Sequence, residues 1–206
     1  MATIGISGSR PLWNLVSAAG MAAVLALLFQ VGHFAEHALQ FAIWLAGDLS
    51  NICGRDTPWM SPWAILMVKK LGLLVAPVAP PERQMMLGME VLHLVGNSIF
   101  LAGLICLHIC IPSKRVRWAV FIESFHLYEH VMLTATAFFL GKPIGMSTLF
   151  GATSLIESRE FAVGFRVSWH FAMNLLPMPL AMMGVMEYLR EDVPSSGGKR
   201  VRSASE

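Results

Sequence analysis

The chain has 206 residues, of which 55% are hydrophobic and only 14% are charged, and its mean hydropathy is +0.61. A soluble protein of this composition would expose large apolar patches, which promote aggregation, so a soluble globular enzyme is excluded and a membrane protein is predicted. The formal net charge is only +2, and the basic residues form short flanking groups instead of a stripe interleaved with aromatic residues, so no nucleic-acid partner is predicted.

Four apolar segments are each long enough to cross a bilayer as a helix, which takes about 20 residues. They cover residues 14–46, 88–111, 117–140 and 166–189. The first is longer than the hydrocarbon core requires and is expected to tilt or project, and two prolines predict a kink in the fourth, Pro177 and Pro179. We therefore predict an all-α membrane protein, a four-transmembrane-helix bundle that forms one domain over residues 1–192.

Two further segments lie outside these spans. Residues 61–76 follow the first span and predict another helix, with Pro62 in its first turn. Lys69 and Lys70 lie near its middle, and charge is costly inside the bilayer, so we predict an interfacial helix in the first outer loop instead of a fifth span. Residues 193–206 are rich in Ser, Gly, Lys and Arg, which predicts a disordered cytoplasmic tail.

The distribution of basic residues predicts the orientation. On one side of the four-span arrangement, Lys and Arg lie on short segments next to the spans, and on the other side they are spread over two longer loops. Basic residues on short loops favour the cytoplasmic side. Both termini are therefore predicted to be cytoplasmic, in the inner or plasma membrane of the cell, with the long loops facing outward.

Polar residues inside the predicted spans form an internal repeat. An HxxEH motif occurs in span one at 33–37 and in span three at 126–130. An HxxxN motif occurs in span two at 93–97 and in span four at 170–174. Because the two motifs follow each other twice in the same order, the bundle is predicted to consist of two pseudo-repeated helical hairpins, related by a pseudo-twofold axis along the membrane normal.

Helical geometry predicts that these motifs converge. Successive helical residues are about 100° apart, so the three polar residues of each HxxEH motif form one stripe roughly 100° wide. In the four-span arrangement the motif histidines of all four spans lie at one depth, toward the outer face. His108 falls near the opposite end of span two and is expected to serve only in packing.

Ionisable residues at membrane depth usually mark function, and imidazole with carboxylate is a ligand set for iron, copper, zinc and manganese. We predict a centre of two metal ions, iron or copper first, with zinc and manganese as further candidates. The predicted ligands are His33, Glu36, His37, His93, His126, Glu129, His130 and His170. The predicted supporting partners, which orient the ligands or balance their charge, are Glu90, Asn97, Glu123, Arg166 and Asn174.

A redox-active centre within hydrocarbon suits an oxidoreductase that hydroxylates or desaturates an apolar substrate, with electrons from a separate donor. Three alternatives stay open. The first is a subunit of a larger membrane complex that binds haem b or copper for electron transfer, with companion membrane subunits as partners. The second is a pathway for protons or metal ions. The third is a structural network in which the polar groups satisfy one another.

Overall fold

The computed structural model describes residues 10–47, 57, 59–155 and 158–191. Within these residues the chain is helical and contains no β-strand, so the prediction of an all-α protein is confirmed. The helices are α1 (Arg10–Leu45), α2 (Pro62–Val75), α3 (Pro81–Cys110), α4 (Lys114–Leu140), α5 (Arg159–Leu175) and α6 (Pro177–Glu191). A 3-10 segment, Met146–Ser154, lies between α4 and α5. The predicted tail over 193–206 lies outside the described residues.

Local side-chain signals set several helix ends. Ser61 caps α2 by accepting a hydrogen bond from the Ala64 amide at 3.1 Å, and Ser113 caps α4 by accepting one from Val116 at 3.2 Å. Helix α4 therefore begins three residues before the apolar segment predicted from 117. Helix α3 likewise begins at Pro81, because the polar residues that follow this proline are helical although they are not apolar. Hydropathy marks only the apolar part of each helix.

The fourth predicted span is broken at the expected place. Helix α5 ends at Leu175 and α6 begins at Pro177, with Leu176 between them. Proline has no amide hydrogen to continue the helical ladder, and its ring clashes with the preceding turn. The helix is therefore interrupted at the predicted prolines, although Leu176 itself keeps right-handed helical dihedral angles.

The long helices pack around an apolar core at one end of the molecule. Helix α1 contacts α3 and α5, and α4 contacts α3 and α6. The largest buried side chains of this core are Phe100, Leu104 and Leu107 of α3, which pack with small residues of α4 and α6. The polar motifs occupy the other end, where α5 takes the place of α6. The break at Leu176 thus separates an apolar half of the fourth segment from a polar one.

Helix α2 packs lengthwise along α3. A Cβ added to Gly72 would overlap the backbone of Gln84, and one added to Gly88 would overlap the backbone of Val68, so the two helices touch through their glycines. The 14 residues of α2 span roughly 21 Å at 1.5 Å per residue, which is shorter than a bilayer core of about 30 Å. Lys69 and Lys70 are exposed.

Two helical segments among the described residues are long and apolar enough to cross a membrane, Ala18–Leu45 and Pro81–Cys110. They correspond to the first two predicted spans, so a membrane location is supported by the length and composition of α1 and α3.

Candidate metal centre

Six of the seven histidines meet in one cluster between α1, α3, α4 and α5. Neighbouring imidazole rings have centroids 4.6 to 6.4 Å apart. The cluster contains His33, His37, His93, His126, His130 and His170. His108, which the sequence placed apart, makes no ring contact with these six among the described residues. The structure thus brings together every histidine predicted as a ligand.

Each HxxEH motif presents two imidazole nitrogens to the same point. His33 Nε2 and His37 Nε2 lie 3.2 Å apart on α1. His126 Nε2 and His130 Nε2 lie 3.2 Å apart on α4. The i, i+4 spacing places both rings of a pair on one face of the helix, one turn apart.

The histidines of the two HxxxN motifs are held by their own helices. His93 Nδ1 donates to the Met89 carbonyl at 2.8 Å, and His170 Nδ1 donates to the Arg166 carbonyl at 2.9 Å. Because each carbonyl fixes the hydrogen on Nδ1, each Nε2 carries the lone pair that a metal ion requires. His170 Nε2 is buried and has no hydrogen-bond partner among the described residues.

The asparagines of these motifs stabilise the same turns. Asn97 donates to the His93 carbonyl at 3.0 Å, and Asn174 donates to the His170 carbonyl at 2.8 Å. Asn174 also accepts a hydrogen bond from Gln30 at 2.7 Å, which joins α1 to α5. Both asparagines and Gln30 are fully buried. They therefore act on the positions of the histidine-bearing helices.

His37 is oriented by a residue that sequence reasoning missed. Gln40 Nε2 donates to the Trp59 carbonyl at 2.9 Å, which leaves the Gln40 carbonyl oxygen to accept from His37 Nδ1 at 3.1 Å. The His37 lone pair is therefore on Nε2, facing His33. Gln40 lies three residues after His37 on the same face of α1, and this spacing was the signal in the sequence that could have identified it.

The other HxxEH motif uses a different support. Glu123 Oε2 lies 3.4 Å from His126 Nδ1, and both side chains are fully buried. His130 Nδ1 is buried and has no hydrogen-bond partner among the described residues. In the α4 motif a side chain therefore orients the first histidine, His126. In the α1 motif a side chain orients the second histidine, His37.

The two HxxEH carboxylates turn toward backbone amides of the segment that follows each helix. Glu36 accepts from the Ser61 amide at 2.7 Å, at the start of α2. Glu129 accepts from the amides of Met146 and Ser147 at 2.9 and 2.7 Å, at the start of the 3-10 segment. Glu129 uses both oxygens in this way. Glu36 uses one oxygen and also lines a cavity.

A buried ion pair joins α3 to α5 beside the cluster. Arg166 Nη2 lies 2.7 Å from Glu90 Oε1, and both side chains are almost completely inaccessible. Thr134 of α4 donates to the Glu90 carbonyl at 3.3 Å. The pair balances one of the buried carboxylates and ties together helices from both halves of the chain.

A cavity of about 410 Å³ opens beside the first HxxEH motif, between α1, α2, α3 and α5. His33, His37 and His93 line it, and one nitrogen from each lies within 4.8 Å of the others. We call these three residues the open triad. His126, His130 and His170 form the closed triad, of which His126 and His130 are completely buried, whereas His170 also reaches the cavity wall.

No curated protein and no solved structure matches the chain. The model of one protein family matches residues 3–198, almost the entire sequence. The chain therefore belongs to DUF6008, a family of unknown function.

Proposed function

We propose that this protein is an integral membrane metalloprotein that holds two metal ions in its histidine cluster and uses them to oxidise an apolar substrate. The observation that carries the proposal is the 3.2 Å separation of the Nε2 atoms in both HxxEH pairs. Metal-to-imidazole bonds of about 2.0–2.1 Å place two nitrogens of one tetrahedral ion roughly 3.3–3.4 Å apart, and a narrower bond angle shortens this distance. Each pair thus has the spacing of two ligands of one ion.

The two triads supply one ion each in this proposal. Their distances correspond: within the HxxEH pair the ring centroids are 4.6 and 4.9 Å apart in the two halves. Within each half, the second histidine of HxxEH and the HxxxN histidine have ring centroids 5.4 Å apart (His37 and His93) and 5.3 Å apart (His130 and His170). Between the halves, the centroid distances are 5.5 Å from His37 to His170 and 5.1 Å from His130 to His93. The remaining distance, from the first histidine of HxxEH to the HxxxN histidine of the same half, is 5.2 Å in the open triad and 6.4 Å in the closed triad, which is therefore wider. The distances that correspond support the two-hairpin repeat and a binuclear centre in its middle.

The same cluster supports a four-span arrangement, which we include in the proposal. Helix α4 has 27 residues, or roughly 40 Å at 1.5 Å per residue, and contacts the membrane-length helix α3. The broken pair α5–α6 contacts both α1 and α4. With all four segments crossing, the termini lie on one side, the cytoplasmic one by the distribution of basic residues, and the metal centre lies toward the opposite face.

The carboxylates receive separate roles. Glu129 holds the 3-10 segment against α4, because both of its oxygens accept backbone amides. Glu36 keeps α2 in place through one oxygen and faces the cavity beside the open triad. Glu36 is therefore the carboxylate that we propose as a ligand or proton acceptor at the open ion.

Because of the cavity, we propose that the metal centre catalyses a reaction and does not merely store metal ions. It gives a small apolar molecule direct access to four imidazoles, those of the open triad and His170. Hydroxylation would consume dioxygen, two electrons and two protons, insert one oxygen atom into a C–H bond and release the other as water. Desaturation would consume the same reactants and release two waters. A separate redox protein must supply the electrons, because the sequence has no GxGxxG or CxxC motif for a second cofactor.

Elemental analysis with an absorption spectrum tests the metal centre, on full-length protein purified in mild detergent without chelators. We expect two equivalents of iron or copper and no Soret band. His37→Ala and His130→Ala should each remove one equivalent, and His108→Ala, outside the cluster, should remove none. A Soret band would replace the proposal by haem-based electron transfer. Metal-free protein after reconstitution would make the 3.2 Å contacts N–H···N hydrogen bonds of a structural or proton-conducting network.

A further inference from the structure

We infer that the cavity beside the open triad binds a single-chain lipid with a small uncharged polar end group, such as a long-chain alcohol, and that this molecule enters sideways from the membrane. The cavity volume of about 410 Å³ lies within the roughly 300–1,000 Å³ of small-molecule sites. The reactive role of the bound lipid and the exclusion of a cationic end group rest on the proposed metal centre, whereas binding of the lipid does not.

The cavity wall changes from apolar to polar along α1. Leu28, Phe29 and Gly32 line one end, and Glu36 and Gln40 line the other. Leu28 and Gln40 are 12 helical steps apart, which corresponds to roughly 18 Å along the helix axis. This gradient fits an amphiphile that lies parallel to α1, with its chain at the Leu28 end and its polar group at the Gln40 end. The first carbons of the chain then pass the open triad.

The apolar end faces the surroundings of the helices. Leu28 is 63% exposed and Phe29 39% exposed, and Trp63 of α2 is 57% exposed on the other side of the opening. Leu28 and Gly32 lie near the middle of Ala18–Leu45, the segment of α1 that is long and apolar enough to cross a membrane. An opening at this depth faces acyl chains, so an apolar molecule reaches it without leaving the bilayer.

Two glycines make room for the chain, and the other half of the molecule has large residues in their places. Both glycines line the cavity. Gly32 comes one residue before His33 in α1, and Gly96 comes three residues after His93 in α3. The corresponding positions in the second half are Phe125 and Met173. A Cβ added to Gly32 would meet nothing within 4 Å, so the space beside it belongs to the cavity and is not needed for helix packing.

The charges around the cavity favour an uncharged polar group. Arg166 reaches the wall but is paired with Glu90, so it does not provide a free cation for an acid. The Glu36 carboxylate repels an acid and can accept a hydrogen bond from a hydroxyl group. A cationic group is disfavoured by the imidazoles once they hold a metal ion. A hydroxyl group therefore suits the polar end best.

Photolabelling with a diazirine-bearing dodecanol tests the inference, on full-length metal-free protein in phosphatidylcholine nanodiscs, with labelled peptides mapped by mass spectrometry. We expect label on α1 near Leu28 and on α3 near Gly96, and excess unlabelled dodecanol should suppress it. Gly32→Leu fills the cavity and should reduce this label severalfold. Ala35→Leu is the matched control, because Ala35 is exposed on the same helix and does not line the cavity.

Each result decides the inference. Equal labelling of Gly32→Leu and the unaltered protein, or label that dodecanol does not suppress, would overturn it and indicate general lipid contact. Suppression by dodecanoic acid but not by dodecanol would also overturn the choice of an uncharged end group. Because the protein is metal-free in this experiment, site-specific labelling can succeed even if elemental analysis refutes the metal centre, and the two failures are distinguishable.

Discussion

The two halves of the molecule carry the same pair of motifs and differ in access. In the half built from α1 to α3, the open triad lines a cavity and Glu36 is only partly buried. In the half built from α4 onward, His126 and His130 are completely buried and Glu129 is 2% exposed. The same residue types on the same helical spacing thus produce one histidine triad that a molecule can reach and one that is sealed except at His170.

Residues next to the motifs account for the difference. Gly32 leaves space beside His33, whereas Phe125 occupies the corresponding position before His126. Glu129 anchors the 3-10 segment with two hydrogen bonds, whereas Glu36 holds the start of α2 with one. We therefore expect the proposed ion of the open triad to exchange and react, and the proposed ion of the closed triad to be retained.

The largest expected loss of stability comes from breaking the buried ion pair that joins the two halves. Arg166→Met would leave Glu90 buried without its cation, and removal of one partner of a buried ion pair costs about 3–5 kcal/mol. Unfolding in detergent titrated with sodium dodecyl sulfate measures this loss. The double variant with Glu90→Leu removes both charges and should recover most of the stability. Equal stability of Arg166→Met and the unaltered protein would show that the pair does not hold the halves together.

The hydrogen bonds from Glu36 and Glu129 to backbone amides should contribute unequally to the stability of the two halves. Each backbone amide that loses its buried acceptor costs about 1–3 kcal/mol. Glu129→Ala leaves two amides unpaired and Glu36→Ala leaves one, so the free energy of unfolding should fall further in Glu129→Ala. The same detergent titration compares the two variants. The opposite ranking would contradict the assignment of the second half as the sealed one.

The two triads should also differ in how strongly their metal affinity depends on a neighbouring side chain that orients a histidine. Gln40 orients His37, and loss of such a partner lowers metal affinity about 10–100-fold. Gln40→Leu should therefore lower the metal affinity of the open triad and leave that of the closed triad unchanged. Competition with a coloured chelator measures both affinities. Leu133 occupies the corresponding position after His130, so Leu133→Ile serves as the control. Simultaneous loss of both ions from Gln40→Leu would refute two separate sites.

The smallest expected effect tests the empty space at Gly32. Glycine within a helix is less stable than alanine by about 0.5–1 kcal/mol, and a Cβ at Gly32 has no steric conflict. Gly32→Ala should therefore raise the unfolding free energy by about this amount. Gly88→Ala is the contrast, because its Cβ would overlap the Val68 backbone and should separate α2 from α3. Destabilisation by Gly32→Ala would show that the cavity wall is packed.

Periodicity in the sequence predicted which residues share a helix face. The spacing of the HxxEH and HxxxN motifs predicted one polar stripe per helix, and the six histidines do meet. The two prolines also predicted where the fourth segment is interrupted. These features depend on residues a few positions apart, whose relative directions the helix repeat determines.

Contacts between distant segments were decided only by the tertiary structure. Gln40 supports His37 because the Trp59 carbonyl fixes its amide, and both HxxEH carboxylates turn toward loop amides instead of the imidazoles. A helix repeat gives the face on which a side chain lies, but its rotamer depends on the neighbouring segment. The cavity likewise depends on how α2 and α5 pack beside α1 and α3. The sequence motifs thus predicted two equivalent histidine groups, and the packing made them different.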